Sequence, residues 1–113
     1  MTRTDLPLPP ATLLILLALA TGEKHGYSIM QEARRLSGGD FRIGPATLYT
    51  TIQRLLDSGW IEEVTGPETS DSRRRYYRLS SLGSSAVKQE LRRMEALVKK
   101  AKALGLRPAE AFS

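Results

Sequence analysis

Cysteine is absent from the 113 residues, and histidine occurs once, as His25. Without thiols, a disulfide framework and thiolate zinc sites are excluded, and no redox compartment is implied. One imidazole with no clustered partner argues against a metal site and against a histidine-based catalytic triad. Neither a nucleophile elbow, a phosphate loop nor a suitably spaced carboxylate pair is present, so no enzyme and no cofactor are expected. Long apolar runs are missing too. The longest, ATLLILLALATG from Ala11 to Gly22, is shorter than the ~20 residues that cross a bilayer, and no membrane-spanning segment is expected.

That run still has two readings. It follows Arg3 and ends in Ala18-Leu19-Ala20, as the core and cleavage site of a secretory signal would. It also suits a helix buried on nearly every side, begun by Pro9-Pro10 and stopped at Gly22. Asp5, the prolines ahead of the run, a single basic residue and the lack of downstream cysteine favour the buried helix. Acidic residues are in deficit, with 12 Asp plus Glu against 17 Lys plus Arg and a formal net charge of +5. A polyanionic partner follows, and nucleic acid and an anionic membrane surface both fit. The length suits one domain with one core.

Glycine and proline punctuate the chain. GEKHG (22–26) reads as a turn, and YSIMQEARRLSGG as a second helix with Ile29, Met30, Ala33 and Leu36 on one face. FRIG (41–44) allows a brief strand. Gly44-Pro45 opens a third helix that ends at Gly59, with Leu48, Ile52, Leu55 and Leu56 inward and Thr47, Thr50, Thr51 and Arg54 largely outside that face. WIEEV (60–64) and RRYYRL (74–79) read as a β-hairpin around the turn-forming TGPETSDS, with Tyr77 and Leu79 inward and Arg74, Tyr76 and Arg78 outward. Ser80 or Ser81 caps a last helix from about Leu82 to Leu104. In it Val87, Leu91, Met94, Val98 and Ala101 recur at alternating steps of four and three, the spacing of a coiled-coil seam. A helix on the order of 30 Å long has little domain left to cover that seam, so a two-fold homodimer is the default expectation.

The order is α, α, short β, α, β, β, α. It predicts a mainly α (α+β) chain: a winged helix-turn-helix over residues 1–80, with a long C-terminal dimerisation helix and short tail over 81–113. In that architecture a helix enters the major groove of double-stranded DNA and the hairpin touches the flanking backbone. Ala46, Thr47, Thr50 and Thr51 are small enough to let the start of the third helix approach phosphates and base edges, with its dipole favourable to anions. Tyr49, Gln53 and Arg54 supply longer contacts.

HGYSIMQEA, GPATLYTTIQRLLDSGWIEE and SRRRYYRLSSLG together resemble the PadR family of winged-helix transcriptional regulators, over about Leu13 to Met94. The resemblance implies a dimeric, cytoplasmic DNA-binding repressor whose third helix reads an inverted repeat. ATLYTTIQRL then makes Thr47, Tyr49 and Thr50 the recognition contacts, and RRRYYRL makes Arg73, Arg74 and Arg75 the wing contacts. It also implies an apolar first helix packed beneath the dimer helix, which brings Leu13, Leu14 and Leu17 to the interface. The chain stops after one helix beyond the wing and so is similar to the short subfamily, in which some members bind planar hydrophobic drugs between the dimer helices. Met94 stands where those members carry an aromatic residue. The stacking surface is lost, although methionine can line an apolar pocket, and Leu91, Met94 and Val98 are the candidate lining for a small hydrophobic effector. The alternative is a winged-helix module that binds a protein and has no need of three consecutive arginines.

Overall fold

A computed structural model describes residues 7–65 and 75–107. The elements are α1 (Pro10–Ala20), β1 (Lys24–His25), α2 (Gly26–Leu36), α3 (Pro45–Asp57), β2 (Ile61–Val64), β3 (Tyr76–Leu79) and α4 (Ser81–Ala103). Proline begins both α1 and α3, where its missing N–H is no loss. Among the described residues no helix is long and apolar enough to cross a membrane.

The apolar run that admitted two readings is α1. Ile15, Leu16, Ala18 and Leu19 are buried, and Leu13, Leu14 and Leu17 pack on the same core with part of their surface open. No side of this helix is polar, and it is correspondingly central: it touches α2, α3, α4 and β3. Leu48, Ile52 and Leu55 of α3, Ile29 and Ala33 of α2, and Ile61, Tyr77 and Val87 share that core.

The sheet has three antiparallel strands in the order β1-β3-β2, not the two of a simple hairpin. Ile61 pairs with Leu79 and Val64 with Tyr76 on one side of β3, and Lys24 pairs with Tyr77 on the other. The extra strand comes from the expected turn. His25 is the N-cap of α2, with an extended backbone (φ −91°, ψ 171°), so the residue that caps the helix already has strand geometry. Its Nδ1 accepts from the Ser28 N–H at 3.4 Å while its own N–H donates to Ser28 Oγ at 3.1 Å, a reciprocal capping box. The Tyr76 ring meets the imidazole edge-on at 5.3 Å. Phe41–Gly44, expected as a brief strand, is irregular. Ser37 Oγ accepts the Phe41 N–H there, and Ile43 is buried as an anchor.

After α3 the chain turns through a Schellman motif, with Trp60 N–H donating to the Leu55 carbonyl and Gly59 N–H to that of Leu56. This sets Trp60 against the start of α4. A Cβ on Gly83 would run into the Trp60 carbonyl and the Leu79 side chain, so the first turn of α4 approaches the wing as only glycine permits. Ser80, not Ser81, caps α4, its Oγ accepting the Gly83 N–H at 3.0 Å.

Only the first turns of α4 join the core, through Gly83, Ala86, Val87 and Glu90; from Leu91 to Lys100 every residue is exposed. Glu90 is 2% exposed. Its carboxylate accepts the Leu8 N–H at 3.3 Å and a fork of two 2.8 Å hydrogen bonds from Arg93. A buried charge is tolerable when it is paired and its lone pairs are filled in this way. The link ties α4 to the residues that lead into α1.

The Arg93 hydrogen bonds, despite opposing burial, hold the Glu90 carboxyl below the usual glutamate range. A folded-state pKa below the unfolded one contributes stability that is fully present above the unfolded value, about 4.3, and is lost as pH falls through the folded one. Glu90→Gln keeps a hydrogen-bond acceptor and removes the charge. Its Tm deficit relative to wild type should be largest above pH 5 and shrink towards pH 3 in scanning calorimetry, whereas a deficit constant across that range would show that the charge contributes nothing.

Candidate nucleic-acid interface

α2, the connection 37–44 and α3 form a helix-turn-helix, and β2 and β3 stand beside it as the wing. Gly44 is the N-cap of α3 and provides no side-chain acceptor, and no acidic residue lies in the first turn. The positive end of the helix dipole is therefore unopposed at a surface carrying Ala46, Thr47 and Thr50, all exposed.

The expected contact residues fall into different environments. Thr47, Tyr49, Thr50, Gln53 and Arg54 all reach the exposed side of α3. Thr51 does not: at 5% exposure it belongs to the buried side, because it stands three residues after Leu48 and four before Leu55, both buried, and it lines a groove together with Leu8 and Pro9. Tyr49 is 53% exposed, but its hydroxyl is laid against Gly26 in the first turn of α2, so part of the ring braces the two helices. Gln53 Nε2 donates to Asp57 Oδ1 at 3.0 Å, one turn along α3, and must exchange that bond to read a base. Arg54 lies at the edge of the groove near Asp57 and Trp60.

On the wing, Arg75 is exposed and loosely paired with Glu63 at 3.8 Å. Arg73 and Arg74 lie outside the described residues. Arg78 is held by Glu62 at 2.9 Å and approached by Glu23 at 3.9 Å, so its charge is committed to joining the wing to the segment before β1. Tyr77 is buried and Leu79 half-buried on the core side, while Arg78 is exposed, following the strand alternation; Tyr76 is half-buried through its contact with His25. Burial, followed by the nearby Glu63 carboxylate, pushes the Tyr77 phenol above its usual pKa and keeps it neutral.

Along α4, Leu91, Met94 and Val98 are 43%, 39% and 41% exposed, and Ala101 is half-buried. Val87, the first member of the heptad pattern, is buried within its own chain's core instead. Heptad spacing missed Leu97, Leu104 and Leu106, which are 59%, 78% and 66% exposed. They lie beside the pattern, and a wider stripe of three residues per heptad would have found the first two.

Helix-turn-helix, wing and a projecting terminal helix define a winged helix-turn-helix protein of the kind found among transcriptional regulators. The chain belongs to the transcriptional regulator PadR-like family, whose sequence profile matches residues 15–89. It is 36% identical over 88 residues to a transcriptional regulator of Mycobacterium tuberculosis, covering 77% of this chain and 78% of the relative. A transcriptional regulator from Clostridium thermocellum is 32% identical in a superposition with TM-score 0.68, covering 81% of this chain and 89% of that one. Bacillus subtilis PadR, solved in complex with operator DNA, superposes with TM-score 0.64 at 24% identity over 75% of this chain and 48% of its own. The chain is thus a transcriptional regulator, not an enzyme.

Proposed function

We propose that this chain acts in the cytoplasm as a homodimeric repressor that recognises an inverted-repeat operator through two copies of α3. The observation that carries the reading is the uncapped, acid-free start of α3, exposed beside a wing that carries Arg75 on its surface. Thr47 and Thr50 let that helix end close on the major groove, and Tyr49, Gln53 and Arg54 extend along it. Arg73, Arg74 and Arg75 grip phosphates at the flank. Leu91, Met94, Val98 and Ala101, with Leu13, Leu14 and Leu17 beneath, form the dimer interface, and Val87 supports it from inside each protomer. The complex between Bacillus subtilis PadR and operator DNA supports this use of the shared fold.

A small hydrophobic effector would release the operator if it bound one separation of the two α3 helices better than the other. Leu91, Met94 and Val98 line the place between the α4 helices where it would act.

Selection of bound sequences from a random DNA pool tests the function. The expected product is a palindromic motif with half-sites about 34 Å apart, one helical turn. Retention of the pool without enrichment, with equal affinity for all sequences across a salt series, would contradict specific repression and favour a module that binds protein.

A further inference from the structure

Gly26 and Gly83 differ from the other described glycines. Neither has a positive φ, yet each meets a close neighbour where a Cβ would stand, so each is fixed by space and not by backbone conformation. At Gly83 the neighbour is the Trp60 carbonyl, which is backbone. At Gly26 the three nearest atoms are the hydroxyl oxygen, Cζ and Cε1 of Tyr49, the last two at 3.0 and 3.2 Å. The obstruction is the far end of one side chain from another helix. Gly26 is buried in the first turn of α2, where alanine is the better helix former, so helix propensity gives no reason for glycine there.

Three elements meet at this point. His25, one residue earlier, caps α2 and pairs with Tyr76 of β3, and Lys24 pairs with Tyr77. Burial and the Glu63 carboxylate push the Tyr77 phenol up, and the Tyr49 phenol adds to that push, so the tip of the Tyr49 ring also stands within electrostatic reach of β3. The ring crosses from α3 to the corner where α2 leaves the sheet. Its tip is seated there and its remaining edge is open. Tyr49 is 53% exposed, on the side of α3 that also carries Ala46 and Gln53, one turn before it and one turn after. A hydroxyl laid against α2 is turned away from the bases, whereas the open ring edge is apolar. In the major groove the apolar feature to be read is the C5 methyl group of thymine.

From this we infer that Gly26 is a specificity-determining position: its missing side chain seats the tip of Tyr49, so that the ring edge meets a thymine methyl group in each half-site. Gly26 acts in this way only if α3 reads DNA, as proposed above; what is added is the group that Tyr49 reads and the residue that aims it. Stability and recognition then separate at this position. Because the obstruction is a side-chain tip and not backbone, Gly26→Ala should fold with Tyr49 swung aside, its Tm within about 3 °C of wild type. Its reading of thymine should be lost.

The probe is the duplex that the wild-type chain selects from a random pool, with each thymine replaced in turn by uracil, which lacks only the methyl group. One such replacement per half-site should weaken wild-type binding about fourfold in fluorescence anisotropy, the worth of one buried methyl group. The same replacement should leave Gly26→Ala and Tyr49→Ala unaffected. Gly26→Ala should also lower affinity in the wild-type background and change nothing further where Tyr49 is already alanine, a coupling that a disturbance confined to α2 would not show. In the free protein, proton NMR should show nuclear Overhauser contacts between the Tyr49 ring and the Gly26 α protons. Absence of those contacts, a recovered sequence in which no thymine methyl matters, or a Gly26→Ala chain that keeps the uracil penalty would overturn the assignment and leave α3 as the reader of DNA. A Gly26→Ala chain that fails to fold would also overturn it, since Tyr49 would then be unable to move. A pool that yields no enriched sequence would instead remove α3 as a sequence reader, and the role of Gly26 with it.

Discussion

Alanine at Arg73, Arg74 and Arg75 together should lower affinity for operator DNA and flatten its dependence on salt. Each phosphate neutralised contributes about 0.9 to the slope of log K against log salt, so three contacts are worth up to about 2.7. Between 50 and 200 mM salt a slope difference of that size narrows the gap between wild type and variant about 40-fold. Arg75 should contribute the least, because the Glu63 carboxylate already stands 3.8 Å from it and competes with any phosphate. The base preference recovered by selection should be unchanged, since phosphate contacts position the protein without reading sequence. Filter binding or fluorescence anisotropy across the salt series gives both quantities. A variant that binds as tightly, and with the same slope, would remove the wing from the interface.

Valine at Gly83 should be the most damaging single exchange in the hinge between wing and α4. The added Cβ meets the Trp60 carbonyl, which is backbone and cannot swing aside, and crowds the Leu79 side chain. Overpacking of this kind costs about 3 kcal/mol, or about 10 °C or more in Tm for a chain of this size. Ser85→Val is a suitable control. It introduces a β-branched residue into the same helix at an exposed position, where a change within about 0.5 kcal/mol is expected. Equal Tm values for the two variants in thermal unfolding followed by circular dichroism would mean that the first turn of α4 can shift away from the wing.

The order of the four helices and of the two wing strands was legible because it is written in strong local signals, whereas the short strand expected at 41–44 lies instead at Lys24–His25, before α2. Pro10 and Pro45 start helices, Gly38 and Gly59 follow their ends, and apolar residues recur at helical spacing in α2 and α3. Most of what escaped depends on a partner distant in sequence. Nothing near His25 shows that Tyr76 lies beside it, so the β1 strand read as a turn, and the lone histidine's capping role required seeing Ser28 three residues on. Thr51 has the composition of a contact residue and the position of a core one. Its spacing of three from Leu48 and four to Leu55 puts it on their buried side of α3, a local signal that its polar side chain masked. Glu90 sits in a charged helix and gives no sign that Leu8 N–H will claim it. The candidate DNA-contact residues on α3 were visible as a polar, nearly uncharged face. The resemblance had already set Arg75 apart from Arg78 as a wing contact; the physical reason came only with the register of β2 against β3, which brings Glu62 to Arg78 and Glu63 towards Arg75.

Because α1 is apolar on every side and is covered by α2, α3, β3 and α4 in turn, it precedes in the chain everything that shelters it. During synthesis it would emerge with no surface it can safely present to water, and Glu90, the last contact that fastens its leading end, is made some seventy residues after the helix is complete. Closing such distant contacts slows folding and prolongs the exposure of a sticky segment. In a cell the supply of active regulator would then be set by how well the nascent chain is protected as well as by how strongly the finished protein grips DNA.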